Sequence, residues 1–305
     1  MSAIAIVGNI NADVIARPVA ALPAPGTEQT VDSIELRVGG AGAIAALCLA
    51  GLGTAAELVG SVGADALGRL LLDDLAHGGV PATSIAVTGG TGICIATESV
   101  GRDRSFLITP GSVGQFFLPH VTERAVSARR LLVCGFFLLP ALRRGGAATL
   151  LQQAQGRGGE TFLDTGWDPD GWAADTKGEV LGLLPWVDVF LPNEAEATVI
   201  AGEADVHAAA RALQARSGGW CIVKRGAAGC LAAGPGNAEF AITAPVVRAL
   251  DTTGAGDAFN AGVLQARTEG RSWDEAAGFA TRLASTVVSR PSRDRYPKRD
   301  ELPAA

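Results

Sequence analysis

The stretch Asp251-Thr-Thr-Gly-Ala-Gly-Asp-Ala-Phe-Asn-Ala-Gly262 joins a glycine-rich turn to the start of a helical pattern. Gly254, Ala255 and Gly256 are small, and backbone N–H groups at such a helix start point outward at the positive end of the helix dipole. This pattern predicts an anion site. Asp257 lies beside it and would repel a phosphate, so it suits the role of accepting a proton from a hydroxyl that attacks one. A simple helix N-cap is the structural alternative.

Apolar strand-like runs alternate with helix-like segments through the rest of the chain. The strand candidates are Ala3–Val7, Leu131–Cys134, Thr161–Asp164, Val187–Leu191, Trp220–Lys224 and Cys230–Ala233. Helical patterns lie near 42–52, 65–77, 143–155, 194–201, 205–216, 256–269 and 274–289. Continuous apolar strands separated by helices predict an α/β fold, with a mostly parallel sheet covered on both faces.

Two segments interrupt this rhythm with alternating or mixed polarity, at about 11–38 and 91–115. The second contains a predicted hairpin around Gly101-Arg102-Asp103. Together they predict a small second sheet within a single domain of residues 1–305. Such an insertion commonly acts as a substrate lid, and a surface hairpin without a role in binding is the alternative.

Composition narrows the class of protein. The 305 residues are 48% hydrophobic and 18% charged, which is typical of an ordered globular protein. A net charge of −6 argues against a dedicated nucleic-acid binder, and the basic run 290–299 is interpreted as a solvated tail. Five cysteines without a CxxC pair indicate reduced thiols. We see neither a signal peptide nor a membrane span, and therefore expect a cytoplasmic protein with no membrane partner.

The stretch 251–262 resembles the C-terminal signature of the ribokinase-like (PfkB) carbohydrate kinase family. Further similar segments follow in family order: VGNINADVI, LPAPGTEQTV, VGGAGAIAALCLAGLG, VGADALGRLLLDDLAHGGV, PNEAEA and VKRGAAGC. The resemblance covers roughly residues 3–290. It implies a three-layer α/β sandwich with a small β lid, and transfer of phosphate from ATP, with Mg²⁺, to a hydroxyl of a sugar or similar small molecule.

The resemblance also implies roles for individual residues. Asp257 would be the catalytic base, and Gly254, Ala255 and Gly256 the anion hole. The substrate positions are Asn11, Asp13, Gly39, Gly40 and Phe137, with Arg104 of the hairpin as a further candidate. The nucleotide positions are Asn193, Lys224, Gly226, Gly229 and Thr281, and Asn193 with Glu196 would organise Mg²⁺. Thr252 and Thr253 lie in a loop where some members hold a monovalent cation.

The residues themselves support the Asn193–Glu196 assignment. The two lie three positions apart at a helix start, after the apolar run Val187–Leu191, so they share one helical face. That face lies at the carboxyl end of a strand, where α/β sites form. An amide and a carboxylate suit a hydrated Mg²⁺ with few direct protein ligands. The alternative is an N-cap with a capping-box glutamate.

Several positions depart from the family pattern towards apolar side chains. Ile44 and Val113 stand where asparagines are common, Thr281 where many members contact adenine through asparagine, and Phe136 and Phe137 where ribokinase has a sugar-binding glutamate. A site without those partners discriminates hydroxyls differently. We therefore expect an acceptor other than ribose, such as a deoxy or substituted sugar, or a nucleoside whose base packs on Phe136 or Phe137.

Other functions stay open from sequence alone. A nucleoside kinase of the same fold is one, and a kinase of a phosphorylated sugar, served by Arg37 or Arg104, is another. A catalytically degenerate regulator would explain the lost polar residues but not the retained Asp257. A dinucleotide-binding dehydrogenase is suggested by GGAGAIAA, which lacks the expected acid about 20 residues further on. Association of two chains through the lid is also left open.

Overall fold

The computed structural model describes residues 3–19, 21, 23–97, 105–116, 121 and 123–302. Its strands are β1 (Ile4–Val7), β2 (Asn11–Arg17), β3 (Ser33–Gly39), β4 (Ala56–Val62), β5 (Ile85–Val87), β6 (Ile93–Thr97), β7 (Ser105–Thr109), β8 (Arg130–Cys134), β9 (Glu160–Asp164), β10 (Val189–Phe190), β11 (Trp220–Lys224), β12 (Cys230–Gly234) and β13 (Ala238–Ile242). Its helices are α1 (Ala41–Gly51), α2 (Ala66–His77), α3 (Glu123–Val126), α4 (Ala147–Gly156), α5 (Ala174–Leu183), α6 (Glu194–Ala201), α7 (Val206–Ser217), α8 (Ala255–Thr268) and α9 (Trp273–Val288).

The large sheet has the order β13-β12-β11-β10-β9-β8-β1-β4-β5. Its pairs are parallel from β5 to β11, and β12 and β13 add an antiparallel edge. The inner strands are buried on both faces, which explains their continuous apolar sequences. The predicted mostly parallel sheet is confirmed.

Side chains of the strands alternate between two apolar cores. In β1, Ile4 and Ile6 join a core with α1, α2, α8 and α9. Ala5 and Val7 point to the opposite face and join a core with α4, α5, α6 and α7. This arrangement is the three-layer sandwich that the resemblance implied.

A smaller sheet has the order β3-β2-β6-β7. The β2–β6 pair is parallel, and the β2–β3 and β6–β7 pairs are antiparallel. The predicted small second sheet is therefore present. The hairpin tip Gly101-Arg102-Asp103 and Arg104 lie outside the described residues.

The sequence did not indicate β4, β5, β13 or α5. β5 has only three residues, and β13 is largely exposed, so neither carries a long apolar signal. The interpretation of 290–299 as a solvated tail was wrong at its centre: the side chain of Arg295 is only 2% exposed. The backbone passes close to α1, where a Cβ on Gly51 would lie 2.8 Å from the carbonyl oxygen of Pro297.

Within the described residues, Cys48, Cys134, Cys221 and Cys230 are buried and Cys94 is partly buried, and all five are free thiols. None of the described helices is long and apolar enough to cross a membrane.

Candidate active site

A cavity of about 1000 Å³ opens where the parallel strands end. Asn9 follows β1, Gly135 follows β8, Asp164 ends β9, Asn193 follows β10 and Lys224 ends β11, and all five line the cavity. Carboxyl ends of parallel strands are the usual binding edge of an α/β sheet. Because strands and helices alternate, residues that are far apart in the sequence lie together at the carboxyl edge of the sheet.

The start of α8 forms another wall of this cavity. Gly254 has φ 75°, a left-handed conformation that favours glycine, and a Cβ there would lie 2.9 Å from Cδ1 of Ile44. Ala255 and Gly256 line the cavity. The amide of Ala255 donates to the carbonyl oxygen of Thr252 at 3.2 Å, so it is partly engaged. The amide of Ala258 donates to the carbonyl oxygen of Gly254 at 2.9 Å. Between them, the amides of Gly256 and Asp257 lie too early in α8 to have an acceptor within the helix, so they are the donors that can bind an anion.

Asp257 lies in this first turn and lines the cavity. Burial raises its pKa, and the nearby carboxylates of Asp164 and Asp13 raise it further, whereas Lys224 and Arg295 lower it; the pKa is about 7. A carboxylate with a pKa near neutrality can take up and release a proton under physiological conditions.

Lys224 lies beneath the Gly254–Gly256 turn rather than apart from it. Its Nζ is 2.6 Å from Oδ2 of Asp164, and a Cβ on Gly256 would lie 3.3 Å from the same Nζ. Burial alone lowers the pKa of Lys224, but Asp164 and Glu196 outweigh it and hold the pKa above its ordinary value. The ammonium group is therefore a fixed positive charge beside the turn.

Asp164 and Asn260 were not predicted from the sequence as site residues. Asn260 donates to Oδ2 of Asp164 at 2.5 Å, and Asp164 is buried at the cavity beside the partly buried Lys224. The available signals were an acid that ends a buried apolar strand, and an asparagine three positions after Asp257 on the same face of α8.

Asn193 and Glu196 form the capping box that the sequence analysis kept as an alternative. Oδ1 of Asn193 accepts from the amide of Glu196 at 2.8 Å, and Oε2 of Glu196 accepts from the amide of Asn193 at 2.9 Å. Both also line the cavity. Burial, followed by the charge of Asp164, raises the pKa of Glu196 to about 7. A cation bound nearby would offset this unfavourable burial of negative charge, so the pair fits a water-mediated Mg²⁺.

Asn11, Asp13, Gly39 and Gly40 lie together beside the cavity. Asn11 donates to Asp13 at 2.6 Å and accepts from Asn9 at 2.9 Å, and Asn9 reaches the cavity. Gly39 packs on the carboxyl group of Asp13, where a Cβ would overlap it, and Gly40 has φ 97°. Burial, opposed by Arg37, raises the pKa of Asp13 to about 6. Asn9 was missed by the sequence analysis, although it follows a buried strand.

Aromatic side chains form a wall of the cavity. Phe137 lines it and is in edge contact with buried Trp172, whose ring centroid lies 5.2 Å away. Trp172 contacts Trp167, which is 56% exposed and also lines the cavity. Phe136 is fully buried behind Phe137. Of these four aromatic residues, Phe137 and Trp167 line the cavity and can therefore touch a ligand.

The cavity continues towards α9 and the segment after β13. Its wall there contains Gly226, Gly229, Ala244, Pro245, Val246, Val247, Thr281, Ala284, Ser285 and Val288. The hydroxyl of Thr281 donates to the carbonyl oxygen of Ala277 at 2.8 Å, so Thr281 presents little hydrogen-bonding capacity. This part of the cavity suits a flat, largely apolar group.

Two of the departures from the family pattern do not face the cavity. Ile44 is buried beneath Gly254, and Val113 lies in the apolar core. Arg104 lies outside the described residues, so its predicted contact with substrate stays a prediction.

The loop before α8 holds a second buried carboxylate, Asp251. Its Oδ2 lies 2.7 Å from Arg37 and 3.0 Å from Arg295. Arg295 also donates to the carbonyl oxygens of Asp251, at 3.2 Å, and Thr253. These oxygens belong to the loop that the resemblance connected with a monovalent cation, and a guanidinium already faces them. The residues present therefore do not fit an additional cation at this position.

The comparison with protein families is decisive at this point. A family model described as pfkB family carbohydrate kinase matches residues 1–298. The chain belongs to this family. A ribokinase from Haemophilus influenzae is 27% identical over 97% of this chain and 95% of its own length. A fructokinase from Klebsiella pneumoniae is 30% identical over 81% of this chain and 82% of its own length.

Solved structures agree with the family's fold. A structure of Arabidopsis thaliana ribokinase complexed with ribose and ATP superposes with a TM-score of 0.81 at 25% identity, over 98% of this chain and 97% of that one. The pfkB family member described here is therefore a carbohydrate kinase in the ribokinase fold.

Proposed function

We propose that this pfkB kinase transfers the γ-phosphoryl group of ATP to a hydroxyl of a sugar or sugar-like molecule, with Asp257 as catalytic base. One observation carries the proposal. A carboxylate with a pKa of about 7 lies at the start of α8, on the cavity wall, beside available backbone amides. The Arabidopsis ribokinase whose structure resembles this chain was solved with ATP, which supports ATP as the donor.

The chemistry follows from these groups. Asp257 accepts the hydroxyl proton while the hydroxyl oxygen bonds to the γ-phosphorus and the bond to the ADP oxygen breaks. Amides at the turn 254–256 and the ammonium of Lys224 stabilise negative charge on the transferred group. The proton leaves Asp257 for solvent after the phosphorylated product and ADP depart.

Asn193 and Glu196 are the residues proposed to hold Mg²⁺ through its water shell. The metal supplies positive charge that neutralises phosphate oxygens. Asp164 adds negative charge close to Glu196, which strengthens attraction of a cation to this part of the wall. Gly226, Gly229 and Thr281 are proposed to contact the nucleotide through packing.

The acceptor end supports a substrate with an apolar part. Phe106 and Ile108 of β7 and Phe137 line the cavity, and Asn9 is a polar residue of its wall. Behind this wall, the side chain of Asn9 donates to Asn11, which donates to Asp13. A hydroxyl-bearing molecule with a flat substituent, such as a substituted sugar, satisfies both. A nucleoside is the second candidate, because Trp167 and Phe137 offer surfaces for a base.

Association through the lid is the proposed assembly. The pairing register places Leu36, Val14, Ile95 and Leu107 in one row across the small sheet. Leu36, Ile95 and Leu107 are exposed, on the face opposite Phe106 and Ile108. A second copy would cover this row, and sedimentation of Leu107→Glu against the unmodified protein tests it: an unchanged oligomeric state would contradict the assembly.

An acceptor screen tests the proposed function. ADP formation would be measured with MgATP and separate sugars and nucleosides, and mass spectrometry would identify a phosphorylated product. Asp257→Asn should abolish acceptor-dependent ADP formation and leave ATP binding measurable by calorimetry. Asp73→Asn, at an exposed position of α2, is the matched control and should behave like the unmodified enzyme. Normal turnover by Asp257→Asn would refute the assignment of the base.

A further inference from the structure

The guanidinium of Arg295 is enclosed by oxygen atoms of a single loop. Nη1 lies 3.0 Å from Oδ2 of Asp251, and Nη2 donates to the backbone oxygens of Asp251 and Thr253. Only 2% of each charged side chain, Arg295 and Asp251, is exposed. Two carbonyl oxygens and a carboxylate oxygen are hard donors of the kind that attract cations. Here they hold a positive charge that belongs to the chain.

This loop fixes the start of α8. Thr253 is followed directly by Gly254, the left-handed N-cap, and then by the first turn of α8, whose residues Ala255, Gly256 and Asp257 line the cavity. Oδ1 of Asp251 accepts from the amide of Thr253 at 2.8 Å, so the carboxylate braces the same loop from within. A positive charge that clamps its carbonyl oxygens therefore fixes where the anion-binding amides point.

The same charge is linked to the small sheet. Arg37 of β3 lies 2.7 Å from Oδ2 of Asp251 and donates to the hydroxyl of Ser292 at 3.1 Å. Asp251 thus joins the lid strand, the C-terminal segment and the turn before α8. An arginine keeps its charge at all physiological pH values and cannot diffuse away. A dissociable cation would need free oxygen donors at this loop, and these donors already face Arg295.

We infer that Arg295 is a built-in cation that positions the phosphoryl-binding turn, so that this kinase works without an activating monovalent cation. The contacts of Arg295 are to the loop 251–254 and not to the reacting atoms, which makes it a positioning residue. The kinetic test of this inference rests on the proposed function. A second test, of ATP binding and thermal stability, does not require turnover and is independent of that function.

The kinetic test compares KCl with tetramethylammonium chloride at equal ionic strength, with Tris as the buffer cation. The unmodified kinase should change in kcat by less than about twofold between the two salts. Arg295→Ala should lose kcat, and KCl or low millimolar guanidinium chloride should restore part of it. A strong, K⁺-specific activation of the unmodified kinase would overturn the inference.

The second test needs no turnover. Thermal unfolding and calorimetric ATP binding would be measured in the same two salts. The unmodified protein should give the same Tm and ATP affinity in both, whereas Arg295→Ala should show a Tm that rises specifically with K⁺. Arg293→Ala, at an exposed arginine two positions away, is the matched control and should match the unmodified protein.

The outcomes separate cleanly. A stable, fully active Arg295→Ala that ignores both K⁺ and guanidinium would overturn the inference. If Arg295→Ala does not fold, the salt comparison on the unmodified protein decides, and Arg295→Lys, which keeps the charge in another geometry, is measured in its place. If no acceptor is found, the proposed function fails on its own, while equal Tm values in the two salts still support the built-in cation.

Discussion

Two aspartates of one short segment have opposite surroundings. Asp251 is buried against Arg37 and Arg295, whose positive charges both lie beside its Oδ2. Asp257 faces the cavity: burial disfavours its charge most, and the carboxylates of Asp164 and Asp13 oppose the favourable charges of Lys224 and Arg295, so its charge is only partly compensated. The comparison shows that identical side chains acquire different roles from their partners. Asp251, paired with two arginines, stabilises the structure, and Asp257, whose charge is only partly compensated, is ready to accept a proton.

Replacing Asp257 tests the aspartate whose charge is only partly compensated. Asp257→Asn should lower kcat by about 10³-fold or more, since loss of a general base removes a major part of the barrier reduction. Its folded pKa of about 7 exceeds the ordinary value of 3.8, so ionisation costs stability as pH rises between these values. At pH 8 the neutral asparagine should therefore raise Tm. A lower Tm together with normal kcat would contradict both roles.

Replacing Asp251 tests the compensated side. Asp251→Asn leaves the buried guanidinium of Arg295 without its counter-charge, and we expect a loss of about 3–5 kcal/mol in the free energy of unfolding. Urea unfolding measures it, with Asp73→Asn again as the exposed control. A loss below about 1 kcal/mol would show that the pairing with arginine contributes little, as for a surface ion pair.

Lys224 sharpens the comparison because its positive charge partly compensates the carboxylate of Asp257. It lowers the pKa of Asp257, so Lys224→Met should move the acidic limb of the kcat/KM profile from about pH 7 to higher pH. Lost charge stabilisation should also reduce kcat by about 10²-fold. The exposed Lys298→Met is the control. A limb that stays in place would assign it to a group other than Asp257 and Glu196, because the charge of Lys224 lowers the pKa of both carboxyl groups.

The sequence alone predicted the parts of this molecule that are continuous in the chain. The stretch 251–262 identified Asp257 and its turn, and the spacing of Asn193 and Glu196 identified one wall of the cavity. It could not show which groups Asp164, Asn260 and Arg295 contact, because their partners come from other elements. Nor could it show that Ile44 lies beneath Gly254, since an aligned position gives no direction to a side chain.

The smallest expected effect concerns the hydroxyl of Thr281, a polar group that, like the carboxylate of Asp251, already has a partner within the protein. The hydroxyl of Thr281 donates to the carbonyl oxygen of Ala277 within α9, although Thr281 lines the cavity. Thr281→Val keeps the shape and removes only this hydroxyl, so KM for ATP should change by less than about threefold, below the roughly 1 kcal/mol of a typical hydrogen bond. Steady-state kinetics with varied ATP measures it. A tenfold rise in KM would mean that the hydroxyl of Thr281 turns from its helix to the nucleotide. A hydrogen bond within the protein would then not show which polar groups of this cavity are unable to bind ligand.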